Sequence, residues 1–139
     1  MRSIGIFGGT FDPVHFGHLR AALESREQLD VDEFRLLPAG QPPHRDTPGV
    51  SSEHRLEMVR IALAGQPGFS VDDREVQRAG PSWMVDTLSA IRAEESEVSL
   101  ILVIGQDAAN ELDTWHRWRD LFELAHIAIM RRPDSHALY

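Results

Sequence analysis

The segment GIFGGTFDPVHFGHLR, residues 5–20, passes from an apolar run through a glycine turn into a helical pattern. Ile4, Ile6 and Phe7 predict a short buried strand that ends where the glycines begin. From His15 to Leu29, apolar side chains then recur on roughly one face of a helix, namely Phe16, Leu19, Ala22, Leu23 and Leu29. The segment therefore predicts a strand, a glycine-rich turn and a helix.

The same alternation continues along the rest of the chain. Further strands are predicted in EFRLLPAG (33–40), FSVDD (69–73), SLILVIG (99–105) and HIAIM (126–130). SLILVIG is almost entirely apolar, which is typical of a strand that is covered on both faces. Strands that alternate with helices predict an α/β fold with a parallel sheet, and we expect residues 1–139 to form a single domain. Ligands of such folds bind beyond the carboxyl ends of the strands.

The helices between these strands have identifiable starts. Ser51 or Ser52 is predicted to cap one helix, and Ser82 is predicted to cap another that runs from Trp83 to about Ala93. A helical stretch at 106–125 is expected to break near Asp113–Thr114. The residues predicted to face the core are Leu56, Val59 and Leu63 in the first helix and Val85, Leu88 and Ile91 in the second.

Composition excludes several classes of chemistry. The chain has no cysteine, and all 14 basic residues are arginine. A Walker A loop and a Schiff-base mechanism both require lysine, so neither is available. A net charge of −8 argues against nucleic acid as a partner, since that binding depends on clustered cations. Without cysteine, a membrane-length apolar run or a signal-peptide profile, the chain is expected to be a soluble cytoplasmic protein.

The glycine turn is a candidate phosphate site. Gly8, Gly9 and Thr10 follow a strand and precede a helix, so backbone amides and the helix N-terminus could meet a phosphate there. The spacing does not fit the G-x-G-x-x-G fingerprint of dinucleotide-binding folds. A tight turn without a ligand is the simpler alternative.

His15 and His18 are three residues apart, so on a helix they project toward the same point. Imidazoles placed in this way could donate hydrogen bonds to phosphate oxygens as charge builds in a transition state. A zinc pair is a competing reading, but H-x-x-H is not the H-E-x-x-H pattern, and spacing indicates no third ligand. Two solvated surface histidines are the third alternative.

Other motifs follow predicted strands. His44 and Arg45 end the proline-stiffened motif PPHR, where an arginine could bind phosphate or simply belong to a surface loop. Asp107 in GQD could accept hydrogen bonds from a ribose or cap the next helix. In TWHRW, either Trp115 or Trp118 could stack on a planar ring, although most tryptophans are structural.

Six motifs taken together resemble the bacterial nicotinate-nucleotide adenylyltransferase family. They are GGTFDPVHFGH (8–18), PPHR (42–45), PSWMVDTL (81–88), LVIGQD (102–107), TWHRW (114–118) and RRPD (131–134). The first is shared by the wider HxGH nucleotidyltransferase superfamily and implies the type of reaction. The resemblance implies a Rossmann-like doubly wound fold and an enzyme of NAD biosynthesis. Such an enzyme joins ATP to nicotinate mononucleotide in the presence of Mg²⁺, giving nicotinate adenine dinucleotide and pyrophosphate.

The resemblance also implies roles for individual residues. His15 and His18 are the expected catalytic residues, which contact the ATP phosphates, and no residue is expected to bind a metal directly. The residues implied for ATP and phosphate binding are Gly8, Gly9, Thr10, Phe11, Gly105, Asp107 and Arg132. Those implied for the mononucleotide are His44, Arg45, Ser82, Met84, Val85 and Trp115.

Two departures from the family pattern qualify these expectations. The family continues past the RRP motif with a further strand and a helix whose Ser-[Ser/Thr]-x-x-[Ile/Leu]-Arg start holds ATP phosphates. The sequence ends at Tyr139, so we expect the fold to lack the C-terminal strand and helices, and self-association is a further expectation. Trp83-Met84 also replaces the usual Tyr-Thr, which removes a hydroxyl implied to hold the nicotinate carboxylate.

Two other functions stay open at this level. One is a different HxGH adenylyltransferase, such as one that acts on phosphopantetheine, because its chains are shorter. The other is a non-catalytic nucleotide-binding remnant that keeps Gly8 to His18 but lacks the C-terminal phosphate contacts.

Overall fold

A computed structural model describes residues 2–9, 11, 16–40, 51–78 and 83–130 of the chain. In these ranges the strands are β1 (Arg2–Gly9), β2 (Glu33–Pro38), β3 (Phe69–Val71), β4 (Val98–Gly105) and β5 (His126–Met130). The helices are α1 (Phe16–Leu29), α2 (Ser52–Leu63), α3 (Arg74–Gln77), α4 (Met84–Glu94), α5 (Gln106–Asn110) and α6 (Trp118–Leu124), with a 3-10 turn at Leu112–Thr114. None of these helices is long and apolar enough to span a membrane.

The five strands form one parallel sheet in the order β3-β2-β1-β4-β5. The chain builds outward from β1 to β2 and β3, and then crosses back to place β4 on the other side of β1. This arrangement is the predicted Rossmann-like doubly wound sheet. The direction of winding reverses between β1 and β4, and ligands of such folds bind at that reversal point.

Both faces of the sheet are covered, as the apolar strands predict. Ile4 and Ile6 of β1 point to one face, which α4 and α6 cover, whereas Phe7 points to the opposite face, which α1 and α2 cover. The helical residues buried against the first face are Val85, Leu88, Ile91 and Leu121, and those buried against the second are Ala22, Val59 and Leu63.

The predicted helix starts were partly right. Ser51 caps α2, because its hydroxyl accepts the His54 backbone N–H at 3.2 Å. The cap predicted at Ser82 is wrong, since α4 begins at Met84 and Trp83 holds the N-cap position with extended backbone angles. The Trp83 carbonyl accepts the first helical hydrogen bonds, and its side chain provides no cap bond.

The face predicted for α1 needs one correction. Leu23 is 49% exposed, whereas Ala22 and Ser25 are buried against the sheet. Residues 22 and 25 share a face because they are three apart, and Leu23 is rotated from Ala22 by about 100° around the helix axis. The predicted break near Asp113–Thr114 is confirmed, because α5 ends at Asn110 and a 3-10 turn precedes α6.

A chain of ion pairs links β1, β2 and the residue that follows β3 to helices α3 and α4. Its central carboxylate, Asp72, accepts from Arg35 at 3.2 Å and from Arg74 at 2.8 Å, and all three side chains are mostly buried. Arg74 also binds Glu94 of α4 at 2.9 Å. From one end to the other the members are Glu95, Arg2, Glu33, Arg35, Asp72, Arg74 and Glu94.

Candidate active site

The candidate site lies at the carboxyl ends of β1 and β4. These strands are adjacent and in parallel register, with Phe7 opposite Val103. The glycines that follow Phe7 and the GQD turn that follows β4 therefore meet at one edge of the sheet, at the point where the winding reverses. The structure thus brings together the two motifs that the sequence assigned to phosphate and ribose.

At Gly8 and Gly9, glycine is favoured by the close approach of other side chains rather than by backbone angle. Neither has the positive φ that favours glycine. A Cβ at Gly8 would lie 2.8 Å from the Met84 Cε, and a Cβ at Gly9 would lie 3.2 Å from the Phe11 ring. Because Gly8 has no side chain, Met84 at the start of α4 can pack against the end of β1. This contact joins the predicted phosphate loop to one of the predicted mononucleotide residues.

Phe11 takes the left-handed conformation in this turn, with φ of 50°. A non-glycine residue there stores on the order of 1–3 kcal/mol of strain unless its surroundings hold it in place. Its ring is 3% exposed and packs edge-on against Phe7 and His18, with centroid distances of 5.5 and 5.0 Å. Aromatic packing therefore holds the strained turn, and the same contact supports the His18 ring.

His18 lies in the first turn of α1 and is half-buried, with a further interaction besides its contact with Phe11. The site residues predicted at Thr10, His15, His44, Arg45, Ser82 and Arg132 lie outside the described residues. Whether His15 and His18 converge on one point therefore stays a prediction.

The GQD turn presents its carboxylate to solvent. Gly105, with extended angles, holds the N-cap position of α5, and Asp107 is exposed in the first helical turn. The alternative in which Asp107 caps this helix is therefore wrong as regards position, because the cap falls on Gly105 and involves no side-chain bond. A Cβ at Gly105 would meet nothing within 4 Å, so the space beside β4 is open.

The two tryptophans of TWHRW both combine core packing with partial exposure. Trp115 and Trp118 are half-buried against the core on the side of α4 and α6. Trp118 also contacts Phe122 edge-on at 6.2 Å and lies under the Arg119 guanidinium at 5.0 Å. Trp115, the tryptophan predicted to stack on a pyridine, packs against the same core cluster as Met84 at the start of α4.

Sequence reasoning missed one ring pair at this edge. Trp83 stacks on His116 with ring centroids 4.7 Å apart and planes tilted by 34°, which ties the start of α4 to the tryptophan loop. The next residue, Arg117, is left-handed with φ of 51° and precedes α6. The position of His116 close to two tryptophans was the only sign in the sequence of an aromatic contact there. It could not identify the partner, Trp83, which is more than thirty positions away.

Residues 6–138 match the family model described as cytidylyltransferase-like. The chain belongs to the cytidylyltransferase-like family. Among the described residues, no group of three histidine or acidic side chains is placed to hold a metal ion.

Relatives of this cytidylyltransferase-like chain share more specific names. Two proteins called "Probable nicotinate-nucleotide adenylyltransferase", from Methylococcus capsulatus and Pseudomonas entomophila, are 58% and 56% identical to it. The matches cover 94% and 97% of this chain but 63% and 62% of the relatives. The chain therefore spans less than two thirds of the length of these relatives.

Solved structures support the fold. The Plasmodium falciparum nicotinic acid mononucleotide adenylyltransferase complexed with NaAD superposes with a TM-score of 0.81 at 14% identity, covering 98% of this chain and 78% of that one. The same enzyme complexed with APC gives a TM-score of 0.76, also at 14% identity, with coverages of 98% and 77%. At these identities the likeness demonstrates a common fold.

Proposed function

We propose that the chain acts as a nicotinate-nucleotide adenylyltransferase in the cytoplasm. A phosphate oxygen of nicotinate mononucleotide attacks the α-phosphorus of ATP, the bond from that phosphorus to the bridging oxygen breaks, and pyrophosphate leaves. The observation that carries the proposal is that the Gly8-Gly9 turn and the GQD turn lie side by side at the reversal point of the sheet, with His18 packed on Phe11 next to Gly9. The names of the relatives and the nucleotide complexes of the structural neighbours support the same reaction.

The reaction asks the protein mainly to align two phosphates and to neutralise charge. The backbone beside Gly8 and Gly9 offers a place where phosphate oxygens can come close. His18 supplies an imidazole N–H to the oxygens that gain charge in the transition state, with its ring held by Phe11. No covalent intermediate is needed, which suits a chain without cysteine or lysine.

The remaining predicted residues are assigned to the two nucleotides. Asp107 is proposed to accept hydrogen bonds from a ribose, and Trp115 and Met84 to border the pyridine ring. For the predicted residues outside the described ranges, we propose the contacts that the family resemblance implies; these residues are Thr10, His15, Arg132, His44, Arg45 and Ser82. Mg²⁺ would be held mainly by triphosphate oxygens and would reduce their repulsion, so the chain itself needs no cluster of carboxylates.

We propose that the acid form of the mononucleotide is preferred despite the loss of a threonine hydroxyl at Met84. The first backbone N–H groups of α4, at Met84 and Val85, have no carbonyl partner within the helix and carry partial positive charge. A nicotinate carboxylate gains more from such donors than the neutral amide does. Equal turnover of nicotinamide mononucleotide would contradict this preference.

The test is pyrophosphate release from ATP, Mg²⁺ and nicotinate mononucleotide by the 139-residue chain. His18→Ala is expected to lower kcat by roughly a hundredfold or more, as removal of a transition-state donor does elsewhere. His54→Ala is the control, because that histidine is exposed and lies on α2, a helix that packs against β2 and β3.

The other functions make different predictions in the same assay. A phosphopantetheine adenylyltransferase would turn over that substrate and not the mononucleotide. A non-catalytic remnant would bind mononucleotide without releasing pyrophosphate. Absence of binding and of turnover with both the mononucleotide and phosphopantetheine would refute all three.

A further inference from the structure

A buried polar cluster joins α3 to α4 beside the candidate site. Glu75 is 3% exposed and Thr87 is fully buried. The Thr87 hydroxyl donates to the Glu75 Oε2 at 2.6 Å and accepts from the Arg78 guanidinium at 3.1 Å. Burial raises the pKa of Glu75, while the Thr87 hydrogen bond and the Arg78 charge oppose that rise.

The backbone of the same glutamate holds the end of β2. A Cβ at Gly40 would collide with the Glu75 carbonyl oxygen, so these two backbones are in direct contact. Arg55 of α2, which is 1% exposed, donates to the carbonyls of Ala39 and Gly40 at 2.6 and 2.9 Å. Glu75 thus contacts the end of β2 through its backbone and α4 through its side chain.

These contacts involve residues that flank, in the sequence, the segments that carry predicted mononucleotide ligands. Gly40 immediately precedes residues 41–50, which include the PPHR motif, and Arg78 immediately precedes residues 79–82. Thr87 lies one helical turn after Trp83, where the chain re-enters the described structure. Glu75 and Thr87 therefore connect Gly40, which precedes the PPHR segment, with the residues on either side of residues 79–82.

We propose that Glu75, through its bond with Thr87, is a positioning residue that fixes the separation between the end of β2 and the start of α4, and hence the fit of the mononucleotide. The proposal rests on the proposed function, because it assigns these two elements to the borders of the mononucleotide pocket. Glu75 and Thr87 themselves do not touch substrate. The bond acts through the backbone at Gly40 and through the first turn of α4, where Met84 packs on Gly8.

Stability alone does not explain this cluster. A buried ionisable group carries a desolvation cost, and well-packed apolar side chains of similar volume often stabilise a fold as much or more. Hydrogen bonds are directional, whereas apolar contacts allow neighbouring elements to slide. A residue that contacts the end of β2 through its backbone and α4 through its carboxylate specifies the relative placement of these two elements.

Thr87→Val tests the proposal, because it removes the hydroxyl and keeps the shape of the side chain. Nicotinate mononucleotide is expected to bind about tenfold more weakly to this variant, with ATP affinity unchanged within about twofold. Thr87→Ser should restore binding because it restores the donor. The matched control is Ser89→Ala on the same helix, which removes an exposed hydroxyl that donates to the Val85 carbonyl at 2.8 Å and has no link to Glu75.

Backbone amide exchange gives a readout that does not depend on catalysis or on ligand binding. The Ala39 N–H donates to the Gly9 carbonyl at 2.8 Å, and the Asp86 N–H donates to the Trp83 carbonyl at 3.1 Å. In Thr87→Val we expect both amides to exchange about tenfold faster, while amides of the interior strand β4 keep their rates. A merely structural role would instead accelerate exchange throughout the sheet.

The outcomes separate the positioning role from the proposed function. Equal weakening of mononucleotide and ATP binding, or unchanged mononucleotide binding in Thr87→Val, overturns the positioning role. If the unmodified chain does not bind the mononucleotide, the proposed function fails. Amide exchange then decides the positioning role alone: faster exchange confined to Ala39 and Asp86 supports it, and uniform or unchanged exchange refutes it.

Discussion

The contact between Gly8 and Met84 makes a quantitative prediction. A Cβ at Gly8 would lie 2.8 Å from the Met84 Cε, whereas non-bonded carbons are comfortable at about 3.5–4.0 Å. Gly8→Ala therefore forces the thioether to withdraw by about 1 Å, and overpacking of this kind costs about 1–3 kcal/mol. The lower end applies because methionine is flexible. Backbone strain adds nothing, since φ of Gly8 is not positive.

Met84→Ala should cancel this cost. Without the thioether, the added methyl group meets no side chain of α4. Replacing glycine with alanine also stabilises the fold by about 0.4–1 kcal/mol, because it lowers the conformational entropy of the unfolded chain. Gly8→Ala should then be neutral or stabilising in the Met84→Ala background. The expected coupling between the two substitutions is about 1 kcal/mol or more.

The assay is urea unfolding of the four proteins of this cycle, combined with measurement of ATP affinity. If phosphate approaches the backbone at Gly8, alanine should weaken ATP binding in both backgrounds, although stability recovers in the double variant. An equal loss of stability in both backgrounds would refute the steric argument. Recovery of ATP affinity together with stability would show that the glycine serves packing alone.

Three further predictions concern stability. Leu88→Ala, at a fully buried position, should lower the free energy of unfolding by about 2–5 kcal/mol in urea, and a loss below about 1 kcal/mol would contradict the packing described. Burial alone would raise the pKa of Glu33 and Asp72, but arginine hydrogen bonds and charges hold both below their usual values, and arginine hydrogen bonds also lower the pKa of Glu94. The contribution of these carboxylates to the free energy of unfolding is therefore complete above the ordinary carboxylate pKa, about 4, and is lost as pH falls below it. On acid titration, Asp72→Asn should lose less stability than the unmodified chain does. The raised pKa of Glu75 has the opposite effect on the pH dependence of stability. The stability of the unmodified chain relative to Glu75→Gln should be greatest in acid and should decline as pH rises through the folded-state pKa of Glu75. A pH-independent difference would refute the assignment.

The sheet was predictable because its strands are locally encoded. Apolar runs such as SLILVIG need cover on both faces, and the glycine turn after Phe7 marks the end of the first strand. Helix α3 was missed because four residues give too short a pattern for periodicity to register. Leu23 was misplaced because helical spacing alone does not say which of two adjacent apolar rows meets the sheet.

The site was predictable as a set of motifs but not as a set of contacts. The glycine and GQD turns follow strands that the parallel topology makes neighbours, so their meeting could be foreseen. The stacking of Trp83 on His116 and the packing of Met84 on Gly8 depend on where helices settle after folding. Local sequence carries little information on such long-range pairs.

Phe11 has a consequence for anyone who redesigns this turn. Judged by backbone angle alone, position 11 should be glycine and position 8 could be alanine, which is the reverse of what the chain contains. Phe11→Gly would relax the main chain and at the same time remove the ring on which His18 rests. A redesign guided by local backbone preference would therefore lower the strain of the turn, but it would remove a ring contact that holds the imidazole on which the proposed chemistry depends.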